Sequence, residues 1–349
     1  MTNQKSKIIK NYPVGAGLAS VRDKKNIRAL GLLSGGLDSI LAVKVLQQQG
    51  IEVTGLSFTT PFFGSAAAEK AAEALGIELL IEDITEEHFE MVKNPPHGYG
   101  KTMNPCIDCH AMMVNAAGKI MKDKGFDFIF TGEVLDERPM SQNRGSLEVV
   151  AKTSGYKGYL LRPLSAKLLN PIIPEQNGLI DRDKLLDLRG RSRKRQFALA
   201  EEFNVTEYPN PAGGCLLTDR GFSQRLKELL SKEENPSIKD VRMLRAGRHF
   251  RFSDTVKLLV GRDEKDNKRL EDLYDGSDYI MDAGDIPGPI CVLTGIDAQL
   301  FLNKAAAICA SYSDIDEGSE CLIMVRRGEH KQQIKVIACK DARDQVPML

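Results

Sequence analysis

The run Arg28-Ala-Leu-Gly-Leu-Leu-Ser34-Gly35-Gly36-Leu-Asp38-Ser39-Ile40, continuing to Leu46, decides the fold. It opens apolar from Ala29 to Leu33, breaks at two glycines, and resumes with Ile40, Val43 and Leu46 at helical spacing. The pattern is a buried strand, a tight turn and a helix. Such a turn offers backbone N–H groups, glycines that let an anion come close, and the positive end of a helix dipole. Ser34 and Ser39 add hydroxyl donors. Asp38 is the odd residue, because a carboxylate beside a phosphate needs a bridging cation, and Mg2+ is the natural one. The Gly-Lys-Ser/Thr ending of a Walker loop is missing. A bare Ser-Gly-Gly would be an ordinary glycine turn; six patterned residues between a strand and a helix are a phosphate cradle.

Working outward, residues 51–135 alternate as strand and helix. Strands are expected at Glu52–Phe58, Glu78–Ile84 and Phe126–Phe130, and helices at Ser65–Leu75 and around Ala111–Lys124. Alternation of this kind predicts an α/β fold: a parallel sheet with right-handed crossovers and ligands at the strands' carboxyl ends. Thr131-Gly132-Glu133 falls at such an end, as does the glycine turn. Residues 134–175 read as loop-rich, 181–204 as helical, and Gly221–Leu230 as a helix. Ser231–Pro236 is the expected linker. Beyond it come short strands (Lys257–Val260, Cys291–Thr294, Cys321–Val325, Ile334–Ala338) and one helix near Ala298–Ala310, so 236–349 is expected to be a smaller α+β domain. The expected organisation is therefore an extension over 1–25, the α/β domain over 26–235, and the C-terminal domain.

Of seven cysteines, three stand out. Asn104-Pro-Cys106-Ile-Asp-Cys109-His110 sets two thiols just before a helix, where thiol pKa values fall. Cys215 follows Pro211-Ala-Gly-Gly, a loop whose glycines expose the sulfur. Cys291, Cys309, Cys321 and Cys339 sit singly in apolar surroundings and read as core. The trio suits a structural zinc with His110 as fourth ligand, a redox pair of Cys106 and Cys109, or a three-cysteine 4Fe-4S cluster with one open iron.

Ser34-Gly-Gly-Leu-Asp-Ser39 resembles the PP-loop of the ATP pyrophosphatases. With Asn-Pro-Cys-x-x-Cys, Thr131-Gly-Glu, Arg138-Pro-Met-Ser-Gln, Leu161-Arg-Pro-Leu and Gly-Gly-Cys215, residues 26–235 are similar to the PP-loop tRNA thiolation enzymes, the 4-thiouridine synthases and tRNA 2-thiouridylases. The resemblance implies that ATP adenylates a uracil carbonyl and that sulfur then displaces AMP. It places ATP on Ser34, Gly35, Gly36, Asp38 and Ser39, with Phe58 and Gly132 beside them, and Mg2+ on Asp38. Asp38, Cys106 and Cys215 carry the catalytic roles. Persulfide-using 2-thiouridylases often have Asp at the position of Cys106, so the trio Cys106/Cys109/Cys215 resembles the cluster-dependent members, for which sulfide or another sulfur donor is the second substrate. No RNA-binding domain is expected ahead of residue 26, and no rhodanese segment is recognisable.

RNA contact then falls to local patches, because Lys+Arg and Asp+Glu both number 48 and the whole chain exerts no net pull on nucleic acid. Arg242, Arg245, Arg248 and Arg251 recur every three residues with Phe250 and Phe252 between them, a combination suited to phosphates and bases. Lys257–Asn267 resembles the RNA-binding domain of the NFACT ribosome-associated proteins. The domain as a whole is not basic, with 17 Lys+Arg against 19 Asp+Glu over 236–349, a difference of −2. Arg189–Arg195 packs five positive charges into seven residues, and Arg191, Arg193 and Lys194 are expected at ATP phosphates or tRNA. With no apolar run of membrane length and no apolar centre in residues 1–25, a cytoplasmic protein without membrane contact is expected.

Overall fold

The computed structural model describes residues 7–9, 26–209 and 214–349, which divide into compact units at Thr218/Asp219. Most of the expected 1–25 extension and the Pro211–Gly213 loop lie outside the described residues.

The first unit runs β1 (Lys7–Ile9), β2 (Arg28–Leu32), α1 (Leu37–Gln47), β3 (Glu52–Thr59), α2 (Ala66–Leu75), β4 (Glu78–Asp83), α3 (Thr85–Lys93), α4 (Cys106–Lys124), β5 (Phe128–Thr131), α5 (Arg144–Thr153), β6 (Leu160–Leu161), α6 (Ile173–Gln176) and α7 (Lys194–Glu202). The sheet order is β1-β4-β3-β2-β5-β6. The last five are parallel, and β1 closes the edge antiparallel to β4. The expected parallel α/β domain is therefore present. β2 is central, with Ala29 and Leu30 wholly buried on opposite faces, as a strand covered by helices on both sides must be. One core holds α1 and α2 against the sheet; the other holds α4 and α5. Gly31 is dictated by β5: a Cβ there would lie 2.2 Å from the Phe130 ring.

Helices appear where none was expected, α3, α5 and the short α6 in this unit. α3 is short, and the charged run Thr-Glu-Glu-His-Phe-Glu hides an apolar stripe of only His88, Phe89 and Val92. α5 begins with a side-chain cap, Asn143 accepting from Ser146 N, inside a stretch dominated by loop residues.

The second unit runs α8 (Arg220–Lys232), α9 (Ile238–Met243), β7 (Arg248–Arg251), β8 (Lys257–Val260), α10 (Glu264–Leu273), β9 (Tyr279–Asp282), β10 (Cys291–Thr294), α11 (Leu302–Ser311), β11 (Glu320–Arg327) and β12 (His330–Ile337). Its strands form one antiparallel sheet, β12-β11-β9-β10-β8-β7. The α11 face covers one side, and α9 and α10 cover part of the other. The linker expected at 231–236 lies inside this unit, because α8 is tied to it: Arg225 Nε donates to Leu244 O (3.0 Å) and Arg251 pairs with Glu228 (2.6 Å). Cys291, Cys309 and Cys321 are core residues as expected; Cys339 is half-buried. Among the described residues no helix is long and apolar enough to cross a membrane.

Candidate nucleotide and sulfur site

The glycine turn joins β2 to α1 at the carboxyl edge of the sheet. Gly35 has φ +78°, and a Cβ there would meet the Ala67 backbone at 2.3 Å, so no other residue fits. Ser39 Oγ donates to Gly36 O (2.8 Å), and Ser34 Oγ accepts from Gly36 N (3.3 Å). The two serines hold the shape of the turn with hydroxyls that stand ready for phosphate oxygens. Gly132, at the end of β5, belongs here for a steric reason: a Cβ would lie 2.5 Å from Ser39 N. Phe58, expected beside the nucleotide, is instead 4% exposed and packs in the core with Leu30 and Val114. In β3, Ser57 and Phe58 face opposite sides of the sheet, and both are buried.

Asp38 is three-quarters buried in its side chain, and Arg193 reaches it: Nη2 lies 3.2 Å from Oδ2. Arg193 Nε is also 3.6 Å from Glu137 Oε1. Burial raises the Asp38 carboxyl above its ordinary value, against the pull of Arg193 and Arg138. Glu137 is raised by burial and by Asp38 itself. Asp38 Oδ1 is buried with no hydrogen-bond partner among the described residues. A buried, orphaned carboxylate oxygen at a phosphate loop fits a divalent cation. Of the basic run, only Arg193 points into the site; Arg189 pairs with Asp136, Arg195 with Asp187, and Arg191 and Lys194 are exposed.

Beside Gly132, Glu133 is buried between two donors. Arg162 Nε stands 2.8 Å from Oε2 and His110 Nδ1 2.8 Å from Oε1, while Thr131 Oγ1 donates to Oε2. Although burial opposes ionisation, Arg162 and His110 outweigh it and hold the carboxyl well below the usual range. His110, the fourth ligand in the zinc alternative, is held by Glu133 through Nδ1.

Cys106 opens α4 and Cys109 sits one turn on. Asn104 Nδ2 donates to Cys106 Sγ (3.3 Å), and Asn104 Oδ1 accepts from Thr102 N (3.1 Å). The Thr102 hydroxyl lies 2.7 Å from Leu217 O, and Leu216 N donates to Phe62 O (3.0 Å). These contacts seat the Cys215 segment against the Cys106 loop. All three cysteines are free. They are also close enough that each thiolate would disfavour the next: burial pushes Cys109 well up, helped by Cys215 and Cys106, and burial pushes Cys215 up to about 11, helped by Cys106. The expected lowering by the helix terminus is thus overridden by desolvation at Cys109. Among the described residues no three His, Cys, Asp or Glu side chains are gathered to hold a metal ion.

Sequence reasoning missed His88. Its Nε2 lies 3.2 Å from Cys109 Sγ, its ring sits between Phe62 and Phe63, and it is wholly buried. Burial lowers its pKa to about 4. A lone histidine in an acidic helical run gives no local signal of this.

The four arginines of the second unit do not share a face. Arg242 is on α9; Arg248 and Arg251 lie three apart on β7, which puts them on opposite sides of a strand. Arg251 is paired with Glu228, Arg248 lies over the Tyr312 ring (4.7 Å), and burial lowers the Arg245 pKa. A period of three is a helical signal, and here it fell largely on a strand.

The family described as "tRNA methyl transferase HUP domain" matches residues 27–217, and the chain belongs to it. The "NFACT protein RNA binding domain" matches residues 247–345. The chain is similar to "tRNA-specific 2-thiouridylase MnmA" of Streptomyces griseus, 25% identical over 273 residues that cover 70% of this chain and 69% of that one. The same-named protein of Streptomyces avermitilis is 25% identical over 312 residues, 81% of this chain and 77% of the other. Among solved structures, a 4-thiouridine synthetase–RNA complex with bound ATP is similar at 18% identity, covering 62% of this chain and 52% of that chain with a TM-score of 0.34.

Proposed function

We propose that the protein is an ATP-dependent tRNA sulfurtransferase that adenylates a uracil carbonyl and replaces its oxygen with sulfur. The observation that carries this reading is that the phosphate loop and the cysteine helix meet. Gly132 lies on the backbone of Ser39, and its neighbour Glu133 bonds His110, the residue after Cys109. This contact supports a reading in which ATP chemistry and sulfur chemistry share one edge of one sheet. The named relatives, the family and the NFACT match support tRNA as the substrate.

In the first step the uracil oxygen attacks the α-phosphorus of ATP and pyrophosphate leaves. Loop N–H groups, Ser34 and Ser39 bind the departing pyrophosphate, and Asp38 holds its Mg2+ through the free Oδ1. Arg193, paired with Asp38 and Glu137, would turn to the phosphates once a cation takes the Asp38 carboxylate. In the second step sulfur attacks the activated carbon and AMP leaves. The target base must be unpaired or flipped out to reach the loop.

The cysteines fit a 4Fe-4S cluster in kind: three free thiols on two segments clasped together, whose mutual repulsion as thiolates calls for a cation among them. Bound there, a cluster would supply an iron without a protein ligand, on which sulfide can reside. Anaerobic purification with iron, sulfide and zinc analysis, followed by nucleoside mass spectrometry of tRNA incubated with ATP and sulfide, tests the proposal. Thiolated uridine that depends on iron and on all three cysteines is expected. Equal thiolation by iron-free protein would replace the cluster with a persulfide, and absence of pyrophosphate release would overturn the reading entirely.

A further inference from the structure

The second unit is acidic overall, so a place in it where positive charge goes unanswered is conspicuous. β11 and β12 are eight residues long and extend past the four-residue strands beside them. On their outer face Arg326 stands directly opposite Lys331; Arg327, opposite His330 at the turn, points to the other face, where its Nε donates to Ser277 O (2.9 Å). Like charges facing each other across a strand pair are destabilising, so this arrangement does not serve the fold. All four side chains are exposed. Lys335 is answered by Glu320 (2.7 Å), and Asp275 and Asp278 are taken by Lys239; Arg326, Arg327 and Lys331 make no ion pair among the described residues.

Aromatic rings lie beneath these charges. The Arg326 guanidinium is 5.3 Å from the centre of the Tyr274 ring and that of Arg327 is 4.9 Å from the centre of Tyr279. Tyr274 Oη accepts from Gly328 N (2.8 Å), which fixes the turn of the hairpin to the ring. Along the same face, away from the turn, Met324 and Leu322 alternate with the core residues Ile323 and Val325 and are exposed at 36% and 50%; Ile337 is exposed at 60%. Arg326 to Leu322 spans roughly 13 Å of open sheet.

We propose that the outer face of the β11–β12 hairpin is the RNA-contacting surface of the second unit. Phosphates sit on Arg326 and Lys331, and sugars and bases lie on the apolar strip beyond. A protein partner would suit the apolar strip alone, but it would leave the opposed cations unexplained; a polyanion explains both. This inference rests on tRNA being the substrate and says which face receives it. Arg242–Arg251, expected to do so from sequence, are spent inside the unit or scattered over its faces.

The test uses the full chain, a labelled tRNA transcript and an unstructured uridine oligomer, with binding followed by fluorescence anisotropy over a salt series. Neutralising Arg326 and Lys331 together as Gln should make the slope of log affinity against log salt shallower by about 1.4, at roughly 0.7 per phosphate contact on a single strand. Affinity for ATP should stay unchanged. Lys331→Glu is the fold control and a second test: it gives Arg326 a partner, so Tm should hold or rise while RNA affinity falls at least tenfold. An unchanged salt slope in the double variant, or undiminished RNA affinity in Lys331→Glu, overturns the surface while leaving the sulfurtransferase reading intact. Unchanged RNA affinity on replacing Leu322 and Met324 with Ser, in a variant that keeps the wild-type Tm, overturns the placing of bases on the apolar strip. A wild-type chain that binds no RNA at all overturns both.

Discussion

His88 Nε2 and Cys109 Sγ stand 3.2 Å apart in a pocket that the rings of Phe62 and Phe63 close. Phe62 also accepts, through its carbonyl, the N–H of Leu216, next to Cys215. One buried imidazole and one ring therefore fix the positions of sulfurs from two distant segments. His88→Ala should leave the Cys109 thiol without its partner and loosen the trio, so that iron retained after anaerobic reconstitution falls below half of wild type. His110→Ala should retain iron, because His110 is bonded to Glu133 and not to a sulfur. Equal iron in His88→Ala and wild type would show that the contact is packing alone.

Asp38→Ala and Ser39→Ala should abolish pyrophosphate release with little change in Tm, since the residues facing the phosphates are lost and the core is untouched. Arg193→Ala should weaken ATP binding, because the charge freed from Asp38 is no longer available to the phosphates. A variant at any of these positions with wild-type pyrophosphate release would remove that residue from the mechanism.

Gly132→Ala places a methyl group where the Ser39 backbone already stands. Accommodating it should cost about 1–3 kcal/mol of stability and displace the phosphate loop. Calorimetry with a non-hydrolysable ATP analogue should show the loss of affinity. Gly50→Ala is the comparison: its positive φ makes it strained, but nothing lies within 4 Å, so only stability should change.

Glu133 releases its proton more readily in the folded chain than unfolded, because Arg162 and His110 favour the carboxylate. Its stabilising contribution is therefore complete above the unfolded value near pH 4.3 and declines as the pH falls below it. Arg162→Met, which leaves the buried carboxylate with one donor fewer, should cost about 3–5 kcal/mol and flatten that acid limb. Chemical denaturation at pH 3.5 and pH 7 measures both effects.

Arg251→Ala should act on stability, by about 1–3 kcal/mol, because Glu228 loses its partner in a half-buried setting. Its RNA affinity should match wild type in the same salt series. A shallower slope would return this arginine to the RNA surface.

The strand–turn–helix at Arg28–Leu46 was legible in sequence because its apolar period changes from strand to helix around two glycines. The same holds for Lys257–Val260 and Cys291–Thr294, which appear with the expected bounds. β7 and β9 were hidden: each is four residues long, and arginines or aspartates at their ends mask two buried positions. At the site, residues one turn or one glycine apart were readable, as with Ser34 to Ser39 and Cys106 with Cys109. Contacts made by the folding of distant segments were not: His88 with Cys109, Arg193 with Asp38, and Arg162 with Glu133 carry no local pattern.

The bond between Thr102 and Leu217 joins residues 115 positions apart, and it is the last closure of the sulfur site. A ribosome adding about 5–20 residues per second needs roughly 6–23 s to make that stretch. For that interval Cys106 and Cys109 exist without the segment that brings Cys215, open to oxygen and to each other. The order of synthesis thus gives every newly made copy a brief period in which its vulnerable pair depends on the reducing power of its surroundings.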